Sequence, residues 1–93
     1  MYNKKVKEGY LNDKNGLTKR EYSRFFEKIS HYEKQINKDV YAFSLEEIMD
    51  LFAKLNPKND KQEKAYRSIL KGYINWSIEQ GYKNNNVNPL NFL

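Results

Sequence analysis

The chain has 93 residues and a formal net charge of +5, with 39% hydrophobic and 15% aromatic side chains. That length suits one small domain with one core, and the apolar content is too high for a disordered tail. The absence of cysteine excludes a disulfide framework and a thiolate metal site, and no apolar run approaches the roughly 18–20 residues of a membrane span. The first residues lack the apolar stretch of a signal peptide, so the expected location is the cytoplasm.

In chain order, residues 4–11 predict a short helix with Val6, Tyr10 and Leu11 on one side and Gly9 interrupting it. Residues 12–17 form a turn-rich linker containing Asn15-Gly16. A second helix is expected from Thr18, which forms a capping-box pattern with Glu21. Tyr22, Phe25, Phe26, Ile29, Tyr32 and Ile36 then recur at helical spacing. Ser44 and Glu47 repeat the capping pattern and open a third helix with the apolar set Leu45, Ile48, Met49, Leu51, Phe52 and Leu55. Pro57 lies two residues past its end and prevents continuation.

The fourth and longest helix is expected over residues 60–80, N-capped by Asn59 or Asp60. Ala65, Tyr66, Ile69, Leu70, Tyr73, Ile74 and Ile78 form its apolar seam, with Trp76 at the border and Gly81 at the left-handed position past its end. No strand-period stretch and no internal repeat occurs. The expected fold is all-α, a compact orthogonal bundle of four or so helices joined by short connections. Residues 1–93 are expected to form a single domain, with the helices over about residues 4–83 and an exit segment at 84–93.

The charges divide unevenly among these helices. Projected at about 100° per residue, the second helix places Arg20, Arg24 and Lys28 along one outward stripe, with His31 beyond them. The fourth helix turns Lys64, Arg67 and Lys71 outward, flanked by Ser68 and Asn75. The third carries Glu46, Glu47 and Asp50 outward, opposed only by Lys54. Basic charge concentrated on two helices and excluded from a third is a better sign of a binding face than net charge, and the partner it fits is nucleic acid. On this reading Lys64 and Lys71 neutralise phosphates, Arg67 is suited to a guanine edge, and Thr18 with the first-turn N–H groups offers a phosphate site. The plainer reading of either stripe alone is a solvated surface with i,i+4 ion pairs, for which Glu27 and Glu63 are available.

Catalytic chemistry finds no support. His31 is the only histidine, so a triad or a multi-histidine metal site lacks members, and its default role is an ordinary surface residue. The tyrosines fall mostly at seam positions, and they and Trp76 are expected in the core. Neither metal nor cofactor is expected.

These residues resemble the N-terminal, SAM-like core-binding domain of phage integrases, the tyrosine recombinases. The likeness lies in the Thr18-x-x-x-Tyr22 and Ser44-Leu45-Glu46-Glu47-Ile48 helix starts and in Lys64-x-x-Arg67-Ser68. It continues in Trp76-x-x-Glu79-x-Gly81 and the Asn88-Pro89 exit, and it spans the chain from about Val6 to Pro89. The family places its Asn-Pro closer to the Gly than it lies here, so residues 84–87 read as a small insertion in the exit turn.

The resemblance implies one half of a C-shaped clamp that holds duplex DNA at the core recombination site. A C-terminal catalytic domain of the same parent chain would cut and rejoin strands through a phosphotyrosine. It places Lys64, Arg67 and Ser68 where the family's long helix meets DNA, and Thr18, Lys19 and Arg20 at the other contacting helix end. It also implies a bacterial or phage-encoded, monomeric module with no nucleophilic tyrosine of its own. The competing reading is a SAM-like protein-interaction module that uses the acidic third helix or the apolar tail, Leu90-Asn91-Phe92-Leu93. Val87, Leu90, Phe92 and Leu93 are expected either to fold back on the helices or to dock on the catalytic domain.

Overall fold

The computed structural model describes all 93 residues. It contains four α-helices, α1 (Lys4–Leu11), α2 (Gly16–Ile36), α3 (Leu45–Leu55) and α4 (Asp60–Glu79), with 3₁₀ turns at Val40–Ala42 and Pro89–Phe92. There is no strand, so the fold is all-α as the spacing predicts. No helix is long and apolar enough to cross a membrane. The chain divides into two compact units, Met1–Asp39 and Val40–Leu93.

The first unit pairs α1 with α2. Tyr10, Leu11, Phe25, Phe26 and Ile29 are buried, and Tyr10 lies with its ring stacked near Tyr22 and edge-on to Phe26. α2 begins at Gly16, two residues before the expected start, and Thr18 makes no cap bond. Asn15 is extended and Gly16 takes a left-handed φ of 54°, a conformation that glycine adopts without strain. The carbonyl of Asn15 therefore already accepts the N–H of Lys19, and Thr18 is enclosed within the first turn. The helix ends at Asn37, whose left-handed backbone returns its N–H to the carbonyls of Glu33 and Lys34.

The apolar pattern of α1 conceals its most buried residue. Lys7 is fully buried, whereas Val6, expected inside, is half-buried. The Lys7 ammonium donates three hydrogen bonds, to the Tyr2 carbonyl at 3.0 Å, Glu33 Oε2 at 2.8 Å and Asp39 Oδ2 at 3.0 Å. It also lies 5.5 Å from the centre of the Phe26 ring. Asn3 Nδ2 donates to the same Asp39 oxygen at 2.9 Å. All three ammonium protons are thus used, which is the condition for holding a charge away from water.

In the second unit the Ser44–Glu47 capping box forms in both directions: Glu47 N–H donates to Ser44 Oγ at 3.2 Å and Ser44 N–H to Glu47 Oε1 at 2.8 Å. Ile48, Leu51 and Leu55 are buried, but Met49 is 55% exposed and Leu45 and Phe52 are half-buried. α4 starts where Asn59 Oδ1 accepts the N–H of Gln62 at 2.9 Å. Its seam holds at Tyr66, Ile69, Leu70, Tyr73 and Ile74, while Ala65 is exposed and Ile78 half-buried. The helix closes in a Schellman motif: Gly81, at φ 81°, donates to the Ile78 carbonyl and Tyr82 to that of Ser77.

The exit segment then folds onto α3 and α4 through its 3₁₀ turn. Pro89 and Leu90 are buried there, but Val87, Phe92 and Leu93 stay exposed, so only part of the apolar tail folds back.

Candidate nucleic-acid interface

On α2, Arg20, Arg24 and Lys28 are all exposed, and they fall within about 80° of one another around the axis. His31 lies within the same arc, about 20° from Arg20, so the stripe continues through it for about 16 Å along the helix. Its position in the register was visible in the sequence, although the residue reads there as ordinary surface. Thr18 and Lys19 are also exposed but do not share the stripe: they lie about 160° and 100° away from Arg20. Lys19 instead lines a crease with Lys4, Glu8, Asn12 and Ser23. The two ends of the expected contact on this helix are therefore separate surfaces.

On α4 the outward arc centres on Ser68. Lys64, Lys71 and Asn75 lie within about 60° of it, all exposed, and Lys61, which sequence reasoning passed over, lies about 20° from it on the other side. Gly72 borders this arc and Ala65 is exposed beside it, so the flank next to Lys61 carries little side-chain bulk. Arg67 sits at the flank, about 100° from Ser68, and its guanidinium is engaged by Glu63 at 3.1 Å in an i,i+4 pair. That is the plain surface role, and at 44% and 39% exposure the pair is worth a few tenths of a kcal/mol, so a phosphate can displace it. Asn75 is tied by its Oδ1 to Asn88 Nδ2 at 2.9 Å.

The acidic side of α3 is smaller than its sequence suggests. Glu47 is spent on the capping box and Asp50 pairs with Lys54 at 2.9 Å, which leaves Glu46 as its remaining exposed acid. Among the other titratable groups, the Tyr10 phenol is pushed up to about 12, first by burial and then by Tyr22 and Asp13 nearby. Trp76 is half-buried between the rings of Tyr73 and Tyr82, with centroids at 6.1 and 5.7 Å. No cluster of three or more metal-ligating side chains occurs.

What these surfaces offer is a set of cations, amides and a hydroxyl on the outward side of two helices, and a comparison with protein families shows the kind of domain that carries them. The model described as MrpR, N-terminal core-binding domain, matches residues 1–79. The chain belongs to this family. The match runs from the first residue to the last of α4, and it agrees with the integrase-type core-binding domain that the helix starts and the long helix resemble. Membership of a core-binding family supports a DNA-binding role of the kind found in recombinase-like proteins. No curated protein and no solved structure shows significant similarity to the chain.

Proposed function

We propose that this core-binding domain is the DNA-gripping module of a site-specific recombinase of the phage-integrase type, holding duplex DNA at the core recombination site. The observation that carries the reading is the α4 arc, where Lys61, Lys64, Ser68, Lys71 and Asn75 project together from one long helix of a family member. The Arg20–Arg24–Lys28 stripe of α2 is a second phosphate-binding surface, and Arg67 joins by exchanging Glu63 for a phosphate or a guanine edge. A module of this size buries roughly 600–1,000 Å² on DNA. Cutting and rejoining strands then fall to a separate catalytic domain of the parent chain, and the module itself acts as a monomer in the cytoplasm.

The reading is tested by titrating the ¹⁵N-labelled domain with a duplex oligonucleotide. Amide resonances of residues 18–28 and 61–75 are expected to shift, and those of Glu46 and Asp50 to stay. A protein-interaction module would show no response to DNA at any of these resonances.

A further inference from the structure

Beneath the α4 arc a set of side-chain bonds belongs to Asn88, a residue beyond the family match. Asn88 is 1% exposed. Its Oδ1 accepts the backbone N–H of Leu90 at 3.0 Å. Its Nδ2 donates to the carbonyl of Lys71 at 3.1 Å and to Oδ1 of Asn75 at 2.9 Å. The two backbone partners fix which end of the Asn88 amide is which, because a carbonyl takes only a donor and an N–H meets only an acceptor. The second Nδ2 hydrogen then demands an acceptor on Asn75. That demand turns the Asn75 oxygen toward Asn88 and leaves its NH₂ group for the exposed side.

An unconstrained asparagine reads adenine by donating from one end of its amide and accepting at the other. Asn75 has its oxygen held toward Asn88 and turns its NH₂ donors to the exposed side, on the same arc as the Ser68 hydroxyl and the Lys71 ammonium. A surface that presents an amide NH₂, a hydroxyl and an ammonium as donors suits phosphate oxygens, which accept hydrogen bonds. Resting on the DNA-binding reading above, we infer that Asn88 is a positioning residue: it holds the Asn75 NH₂ outward as a hydrogen-bond donor to a DNA phosphate and so links the fold of the exit turn to DNA contact.

The test is duplex-DNA affinity by fluorescence anisotropy for the wild type, Asn75→Ala, Asn88→Ser and the double variant. Serine at position 88 retains an oxygen that can cap the Leu90 N–H but is too short to reach Asn75. Asn75→Ala is expected to weaken binding about tenfold, the worth of one hydrogen bond to a charged acceptor. Asn88→Ser should cost a similar factor, and the double variant should be no weaker than Asn75→Ala alone. Losses that multiply in the double variant would make Asn88 merely structural and overturn the inference, as would an Asn75→Ala variant of wild-type affinity.

The Asn75 side-chain NH₂ resonances provide a second measurement, expected to move on addition of DNA in the wild type; stationary resonances would also overturn it. A Lys64→Ala, Lys71→Ala variant separates the two levels. If that variant loses affinity while the asparagine variants do not, only the positioning role fails. If all of them bind as the wild type does, the DNA face itself is wrong.

Discussion

Replacing Lys7 with methionine should be among the most damaging single substitutions in the first unit. The change preserves length and apolar stem but removes the ammonium that both Glu33 and Asp39 bind, where all three side chains are between 0% and 3% exposed. Their carboxylates would remain buried without that cation, and breaking a buried pair in this way costs about 3–5 kcal/mol. A domain of this size has about 5–15 kcal/mol in total, so the loss removes a large fraction of it. At about 4–8 °C per kcal/mol, the melting midpoint should fall by at least about 12 °C. The assay is thermal and urea unfolding followed by far-UV circular dichroism. A combined Lys7→Met, Glu33→Leu, Asp39→Asn variant should recover part of the loss, because the stranded charges go with the cation. A Lys7→Met protein within about 1 kcal/mol of wild type would refute the reasoning, and would mean that water reaches the cluster.

Three further outcomes follow from local geometry. Tyr10 keeps its proton in the folded state to about pH 12, against about 10 when unfolded, so between those values the unfolded chain has released a proton that the folded one retains. Stability should therefore be unaffected by this group below about pH 10 and fall by on the order of 2–3 kcal/mol through pH 12; in Tyr10→Phe, urea midpoints measured across that range should lack this component. Ser44→Ala removes one half of the capping box of α3 and should cost about 1 kcal/mol in urea unfolding, with no change in DNA affinity. Gly81→Ala meets no neighbouring atom, so its cost is that of a left-handed backbone alone, about 1–2 kcal/mol in the same assay.

The parts of this structure that the sequence made legible are those decided within a turn of helix. Ser44 and Glu47 are three residues apart and their cap forms where the pattern places it, while α4 is capped by Asn59, one of the two candidates there. Thr18 and Glu21 carry the same signal and do not use it, because Gly16 lets the helix start upstream and places Thr18 inside it. Lys7 shows the opposite limit. A lysine in an amphipathic pattern reads as surface, and its partners lie 26 and 32 residues away, at separations that no periodicity encodes. The candidate site follows the same rule. Exposure of Lys64, Ser68, Lys71 and Asn75 follows from register, and the Arg67–Glu63 pair from i,i+4 spacing. The bond from Asn88 to Asn75 depends on the exit turn folding back across 13 residues, so only the structure reveals it.

The central claim is that the exposed cations of α2 and α4 meet DNA phosphates, and the salt dependence of affinity tests it most directly. With about five phosphates neutralised, log K for a duplex should fall with log salt at a slope of about −4 to −5. Replacing Lys64 and Lys71 by alanine should bring the slope about two units closer to zero, because each lysine neutralises one phosphate. A wild-type slope near zero, or a slope unmoved by the double substitution, would contradict the account.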